Sequence, residues 1–324
     1  MKFDRRRVVT ALGAAALTPF ARANEAAWPQ KPIRLVLPFA AGGPTDVVAR
    51  AMALRMSQEL GQQIVVDNRV GASGNIACEI VARATPDGYT ALYHSSGFTI
   101  SPALYKTTPY DPLRDFTPVT RVAVIPAVLM VNGALPIHDI DQFIAYVKAN
   151  AAKTSYGSGG VGNITHLVVA LLLQAKGLQA IHVPYKGTAP AMTDLIGGRI
   201  DFLLDAVSTG LPYIRDKRVR AIVLTSEKRL DILPDVPTLN EKTMPGFVAP
   251  TWHGILLPAS APRPLAARMR HAAVAALKDG ALRKQFAPQG VELDATTPDE
   301  FASYLKAETV RWAGAVRAAA IEPE

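Results

Sequence analysis

The sequence has few cysteines and few histidines, and each shortage excludes a class of protein. Its 324 residues include one cysteine, Cys78, so no internal disulfide and no cysteine-rich zinc site can form. The six histidines are scattered, without an HExxH motif or two histidines at helical metal-ligand spacing. Because a histidine metal site usually needs such a pattern, we expect no metal centre of that kind.

A long hydrophobic run is also missing. The apolar stretch from Val8 to Thr18 is too short to cross a membrane as a helix, which takes about 20 residues. It follows four basic residues and precedes an A-x-A sequence at Ala21–Ala23. Residues 1–23 are therefore predicted to be an export signal peptide that is cleaved near Ala23. The consecutive arginines are compatible with both Sec and twin-arginine export.

The excess of positive charge is small once the signal is removed. Residues 1–23 hold five of the 35 basic and one of the 27 acidic residues, which leaves 30 basic and 26 acidic residues. This balance does not favour nucleic-acid binding and is compatible with a small anionic ligand. The hydrophobic fraction of 49% is ample for a packed core, and the length exceeds what one core usually supports. We expect an exported protein of two domains.

Strand-like and helix-like segments alternate along the mature chain. Apolar runs such as Ile33–Phe39 are followed by helical patterns such as Asp46–Leu60. This order predicts an α/β fold in which each domain is a mostly parallel sheet flanked by helices. Two crossovers between the domains imply two hinge strands, which suit closure around a ligand. The expected domains are residues 24–125 plus 250–324 for domain 1, and residues 126–249 for domain 2.

Four predicted strand-to-helix turns are rich in glycine and small polar residues. In a parallel sheet such turns lie at the carboxyl ends of strands, where ligands bind, and free N–H groups at a helix start favour anions. Any single turn is explained by chain reversal alone. Because two turns fall in each predicted domain, the four together predict a carboxylate site between the domains. The turns are residues 39–46, 71–75, 157–163 and 185–190.

The third turn matches the spacing of a dinucleotide-binding loop but lacks its context. Gly157, Gly159 and Gly162 have the G-x-G-x-x-G spacing. That fingerprint needs an apolar strand before it and an acidic residue about 20 residues later, and residues 177–180 contain no acid. The sequence also has no Walker loop, no G-x-S-x-G elbow and no spacing typical of a catalytic triad. We therefore expect neither a cofactor nor an enzyme.

Several motifs occur in an order that is typical of one receptor family. Residues 28–46 read WPxKPIRLV followed by PFxxGGxTD, and residues 66–72 read VDNRxGA. Further matches are PDGYT at 86–90, YDP at 110–112, DFxPV at 115–119, YGS at 156–158, VPYKG at 183–187 and LPDVPT at 233–238. On these motifs the whole mature chain resembles the Bug family, the substrate-binding proteins of tripartite tricarboxylate transporters. It departs from the usual family pattern at Val70 and Ser73, where Pro and Gly are common.

The resemblance implies a periplasmic Venus-flytrap receptor, of a type II-like fold, that performs no chemistry. It would close as a monomer on a small organic acid, a dicarboxylate or an aromatic carboxylate, and deliver it to the permease subunits of the transporter. Family members hold the carboxylate largely through backbone amides and bridging waters of two turns. Carried over to this chain, those turns give the candidate ligand-binding residues Gly42, Gly43, Thr45, Asp46, Ser158, Gly159, Gly162 and Asn163.

Further candidates come from their places in the other turns and at strand ends. Asp205 resembles a family position that can meet a ligand amine or hydroxyl, and Trp252 is a candidate wall of the cleft. For Phe39, Asp46 and Trp252, roles in the core, in a helix cap and in hinge packing are open alternatives. The further candidates are Phe39, Ala41, Gly71, Ser73, Ser95, His166, Tyr185, Asp205 and Trp252.

Two other functions remain open from the sequence. A secreted hydrolase could act on a carboxylate ester in the same cleft, and it would need a nucleophile, a base and a residue that orients the base. A ligand sensor that signals through a protein partner would have the same fold and the same site as a transport receptor.

Overall fold

The computed structural model describes residues 28–151 and 153–318, which form two β-sheets flanked by helices. The predicted export signal at residues 1–23 lies outside these residues. Within the described ranges, no helix has the length and apolar character needed to span a membrane.

Strands and helices alternate as the sequence predicts. The strands are β1 (Ile33–Leu37), β2 (Ile64–Asn68), β3 (Thr90–Ser95), β4 (Phe116–Ile125), β5 (Ala127–Asn132), β6 (Ser155–Ser158), β7 (Ile181–Pro184), β8 (Phe202–Ala206), β9 (Val219–Leu224), β10 (Thr251–Pro258) and β11 (Glu292–Leu293). The α-helices are α1 (Pro44–Leu60), α2 (Asn75–Ala82), α3 (Gly97–Leu104), α4 (Ile140–Ala149), α5 (Ile164–Ala175), α6 (Thr188–Ile196), α7 (Val207–Arg215), α8 (Leu239–Lys242), α9 (Arg263–Lys278), α10 (Gly280–Phe286) and α11 (Pro298–Ala318).

The two sheets are mixed, which corrects the expectation of mostly parallel sheets. The first has the strand order β11-β4-β10-β3-β1-β2, and the second has the order β7-β6-β8-β5-β9. β1 pairs in parallel with β2 and β3, but β10 runs antiparallel between β3 and β4. In the second sheet, β5 runs antiparallel to both β8 and β9. Each of these antiparallel pairs includes β10 or β5, the strands that follow the two crossovers.

The first helix shows how the local sequence builds these layers. Pro44 begins α1 at a position where its missing N–H costs nothing, and Gly61 ends it in the left-handed conformation at φ +68°. Val48, Met52 and Met56 recur at four-residue spacing and are buried against the first sheet. α1 starts shortly after β1 ends, at the same edge of the sheet.

The chain passes between the sheets at Pro126, which separates β4 from β5, and it returns through residues 243–250 into β10. α11 adds a third link. Its first part, with Phe301 and Leu305, packs on the first sheet, whereas Trp312 and Val316 belong to the core of the second. The division into residues 24–125 plus 250–324 and residues 126–249 stays a proposal.

Gly254 lies in β10 directly beneath a ring of α11. A Cβ at this position would lie 2.3 Å from Cζ of Phe301, which is fully buried and packs edge-on against Trp252. Because the ring has no room to move, Gly254→Ala is expected to lower the free energy of unfolding by about 1–3 kcal/mol. Chemical denaturation measures this change.

Gly314→Ala in α11 is the matched control. A Cβ there meets nothing within 4 Å, so higher helix propensity should raise stability by up to about 1 kcal/mol. Equal stability of the two variants would contradict the packing of Phe301 over Gly254.

Candidate functional site

A cavity of about 40 Å³ lies between the two sheets, and residues of both halves line it. Its wall contains no lysine or arginine, so it carries no cationic side chain in the part of the chain that the structure describes. Six of the predicted site residues line this central cavity: Phe39, Gly43, Thr45, Ser95, Asn163 and Asp205.

Three helix N-termini meet at the central cavity. They are the starts of α1, α5 and α6, represented in the wall by Thr45, Thr165 and Thr188. The N-cap residues of α1 and α6 are Gly43 and Gly187, and neither offers a side chain to the first-turn N–H groups. Free N–H groups and the positive ends of three helix dipoles favour a negatively charged group at this point.

The Asp46 carboxylate organises the first turn from behind. It accepts hydrogen bonds from the Gly42 N–H at 3.0 Å, from Arg50 Nε at 2.9 Å and from Asn68 Nδ2 at 3.0 Å. Burial opposes its ionisation, but the hydrogen bonds from Arg50, Gly42 and Asn68 outweigh burial and lower the pKa of Asp46. Asp46 does not line the central cavity, and its role here is to hold the turn in shape.

Asn163 fixes the turn on the opposite side. Its Oδ1 accepts hydrogen bonds from both the N–H and the hydroxyl of Thr165, each at 3.0 Å. The Thr165 hydroxyl in turn accepts the Gly159 N–H at 2.9 Å. This N-cap arrangement holds the start of α5 against the cavity.

Asp205 brings a buried carboxylate into the same cavity from the end of β8. It is 1% exposed and accepts hydrogen bonds from the Ala206 N–H and the Thr209 hydroxyl, both at 2.8 Å. Burial raises the pKa of Asp205 to about 6, and hydrogen bonds from Thr188 and Thr209 limit the rise. The carboxyl is therefore largely ionised at pH 7.5.

Strand β10 presents His253, and not Trp252, to the cavity. Trp252 is fully buried on the other face of the sheet, where it packs against Phe301 and Tyr304. Successive residues of a strand point to opposite faces, so placing Trp252 in the cleft assigned the wrong face.

The sequence interpretation also missed Thr165, Thr188 and Thr251 in the wall of the cavity. A hydroxyl directly after a glycine turn was a usable signal for Thr188.

Other predicted residues line two neighbouring cavities. Gly71, Ser73, Gly159 and Tyr185 lie together around a cavity of about 240 Å³ on the far side of Phe39. The Tyr185 hydroxyl donates to Asp194 at 2.8 Å.

The second neighbouring cavity measures about 330 Å³ and is lined by Gly42. Gly43 and Asp205 line both it and the central cavity. The predicted turns thus surround a divided cleft and not one chamber.

Six predicted residues line none of these three cavities: Asp46 and Trp252, described above, and Ala41, Ser158, Gly162 and His166. Ala41 is exposed, and Gly162 packs beside Ser101 and Tyr105. Ser158 and His166 lie behind the third turn with His182, which accepts or donates a 2.7 Å hydrogen bond with the Ser158 hydroxyl. The His166 and His182 rings stack at 4.1 Å.

Burial lowers the pKa of His166 to about 4. Burial also lowers the pKa of His182 to about 3, and the neighbouring charge of His166 adds to that lowering. Both rings are therefore neutral at physiological pH. The described residues contain no group of three or more side chains placed to hold a metal ion.

The halves touch across the cleft. The Ala40 N–H donates to the Lys186 carbonyl at 3.0 Å, and the Tyr105 hydroxyl donates to the Val161 carbonyl at 3.4 Å. These contacts hold the two halves together beside the central cavity.

Comparison with known proteins places the chain among receptors. A family model described as "Tripartite tricarboxylate transporter family receptor" matches residues 48–321. The protein BugT of Bordetella pertussis is 34% identical over 292 residues, which cover 90% of each chain. The solved structure of the periplasmic binding protein BugD has a TM-score of 0.89 and 37% identity, and the match covers 92% of this chain and 100% of BugD.

Two further solved structures contain ligands. MatC from Rhodopseudomonas palustris with bound malate has a TM-score of 0.86 and 32% identity, covering 89% of this chain and 100% of MatC. A second R. palustris protein, solved with adipate, has a TM-score of 0.88 and 33% identity, covering 92% of this chain and 100% of its own. These matches confirm the two-domain binding-protein fold that the sequence predicts.

Proposed function

The chain belongs to the tripartite tricarboxylate transporter receptor family, the Bug family of solute-binding proteins, and from that premise we propose that it captures a small organic carboxylate between its two halves in the periplasm. It delivers the ligand to the membrane permease subunits of a tripartite tricarboxylate-type transporter. It works as a monomer, without a cofactor and without catalysis.

The convergence of three helix starts on one cavity, two of them without a side-chain cap, carries this proposal. Such a site attracts an anion without any lysine or arginine. The ligands of the two R. palustris relatives, malate and adipate, are both dicarboxylates, which supports a ligand of this class. The carboxylate would be held by the starts of α1, α5 and α6, with Thr45, Asn163 and Gly43 among the contacts.

Closure supplies the selectivity of such a receptor. A ligand that contacts both halves stabilises the closed state, whereas a ligand that contacts one half does not shift the equilibrium between open and closed states. The direct contacts between the halves, such as Ala40 with Lys186, then add to those of the ligand.

A thermal-shift screen of residues 24–324 against dicarboxylates, tricarboxylates, aromatic carboxylates and amino acids tests the proposal. The protein is first unfolded and refolded, so that a ligand carried over from expression is removed. A carboxylate at about 100 times its dissociation constant should stabilise the protein by ~2.7 kcal/mol. Binding of no carboxylate by calorimetry would refute the proposal.

A hydrolase is the second candidate, because Ser158 and His182 form a hydrogen bond of 2.7 Å, as in a nucleophile–base pair. Ser158 is fully buried, and its hydroxyl also accepts the Gly160 N–H at 3.1 Å. This geometry favours a structural role for the pair in the third turn. Turnover of a carboxylate ester panel that disappears in Ser158→Ala would favour the hydrolase instead.

A further inference from the structure

His253 lines the central cavity, and one nitrogen of its buried ring has no hydrogen-bond partner among the described residues. Its side chain is 1% exposed, and Nδ1 lies 3.4 Å from the Tyr93 hydroxyl. Nε2 is buried and has no hydrogen-bond partner among the described residues. An unpaired buried polar atom lowers stability, so its presence at a ligand cavity points to a partner that arrives with the ligand.

The partner of Nδ1 determines what Nε2 can do. Tyr93 is fully buried, and burial raises its pKa well above the usual value, so the phenol is protonated. Its hydroxyl hydrogen needs an acceptor, and Nδ1 of His253 is the one that the described residues place within reach. Burial lowers the pKa of His253 to about 3, helped by the charge of His94, so the ring is neutral. The single ring hydrogen is then on Nε2, which is a donor.

Asp205, in the same cavity wall, is a hydrogen-bond acceptor, whereas His253 Nε2 is a donor. Its ionised carboxylate only accepts hydrogen bonds, and the donors that reach it, from Ala206, Thr209 and Thr188, leave acceptor capacity free for a ligand. A second carboxylate of the ligand would suit His253 but be repelled by Asp205. A ligand ammonium would suit Asp205 but face the N–H of His253. A hydroxyl suits both residues, because it donates one hydrogen bond and accepts others.

Resting on the proposed function, we propose that His253 and Asp205 recognise a ligand hydroxyl and that this receptor selects hydroxycarboxylates. The ligand carboxylate lies at the three helix starts, and its hydroxyl accepts from His253 Nε2 and donates to Asp205. His253 is then a specificity-determining residue. An acid without the hydroxyl leaves the His253 Nε2 hydrogen unpaired and brings no donor to Asp205, which a site of this kind penalises strongly.

Titration calorimetry at pH 7.5 with matched acids tests this pair. The probes are malate against succinate, 2-hydroxyglutarate against glutarate, and mandelate against phenylacetate. The hydroxy acid of at least one pair is expected to bind at least tenfold more tightly than the acid without the hydroxyl. His253→Phe keeps the ring beside Tyr93 and removes the donor. This variant should weaken binding of the hydroxy acid about tenfold or more. Binding of the matched acid without the hydroxyl should change less than threefold.

His253→Phe alone leaves the buried Tyr93 hydroxyl without its acceptor, which could destabilise the fold. The double variant Tyr93→Phe/His253→Phe removes that hydroxyl as well and so controls for misfolding. It should show the same selective loss. Equal binding of both members of every pair by the unsubstituted protein, or parallel loss of both acids in the variants, would overturn the role of His253 while the carboxylate receptor stands. Binding of none of these acids or of any carboxylate would overturn the proposed function and this inference with it.

Discussion

Replacing Gly187 with alanine is expected to weaken ligand binding about 10- to 100-fold. Gly187 is the N-cap of α6 and has φ +120°, a conformation that residues with a side chain rarely adopt. A Cβ there would lie 3.2 Å from the Ala40 nitrogen and 3.5 Å from Cβ of Phe39, both in the opposite half. The substitution therefore adds strain of about 1–3 kcal/mol and crowds the contact that closes the cleft. Calorimetry with the tightest carboxylate of the panel measures the loss.

Gly177→Ala is the control for backbone strain without crowding. Gly177 has φ +61° just beyond α5, and a Cβ there meets nothing within 4 Å. We expect this variant to lose about 1 kcal/mol of stability and to bind the ligand normally. If Gly187→Ala also binds normally, the contact between Gly187 and the first half does not contribute to closure.

Asp205→Asn is expected to stabilise the ligand-free protein at neutral pH. Burial raises the folded-state pKa of Asp205 to about 6 from an ordinary value of 3.8. The protonated Asp205 carboxyl thus makes its full contribution to the free energy of unfolding below about pH 4. That contribution is lost as the pH rises through 6. The variant has no such ionisation, so above pH 7 it should exceed the original protein in free energy of unfolding by up to roughly 3 kcal/mol. Urea denaturation from pH 4 to pH 8 measures the difference.

Asp46→Asn should behave in the opposite way. Hydrogen bonds to the Asp46 carboxylate lower its pKa despite its burial, so its ionised form supports the fold above the unfolded-state pKa. We expect this variant to be less stable at neutral pH, with the deficit shrinking as pH falls through the folded pKa of Asp46.

A fall in stability for Asp205→Asn at pH 7.5 would show that the hydrogen bonds of the Asp205 carboxylate outweigh the cost of its buried charge.

Local signals in the sequence were enough to predict most elements and the four turns. Gly61, Gly177 and Gly198 mark helix ends because few other residues adopt the left-handed conformation found there. The helical pattern does not predict α3 and α7, because Pro102 and Pro212 lie inside them. A proline normally ends a helix, and only tertiary packing makes these short helices tolerate one.

The position of the candidate site was predictable, but its wall was not. Gly43, Thr45 and Asn163 follow from turn chemistry and from the family resemblance. Whether His253 or Trp252 faces the cavity depends on how β10 pairs with β3 and β4, which are more than 120 residues earlier in the chain. Which of the three cavities a turn residue lines depends on how the sheets lie against each other, and no local pattern encodes that arrangement.

The insertion of β10 between β3 and β4 also sets the order in which the protein can fold. Strands β5 to β9 are contiguous in sequence, so the second sheet can assemble as soon as residues 127–224 are available. The first sheet stays split in two until residues 251–258 arrive, and closing that long loop carries an entropic cost. We therefore expect refolding in two phases, with the second half of the molecule forming before the first.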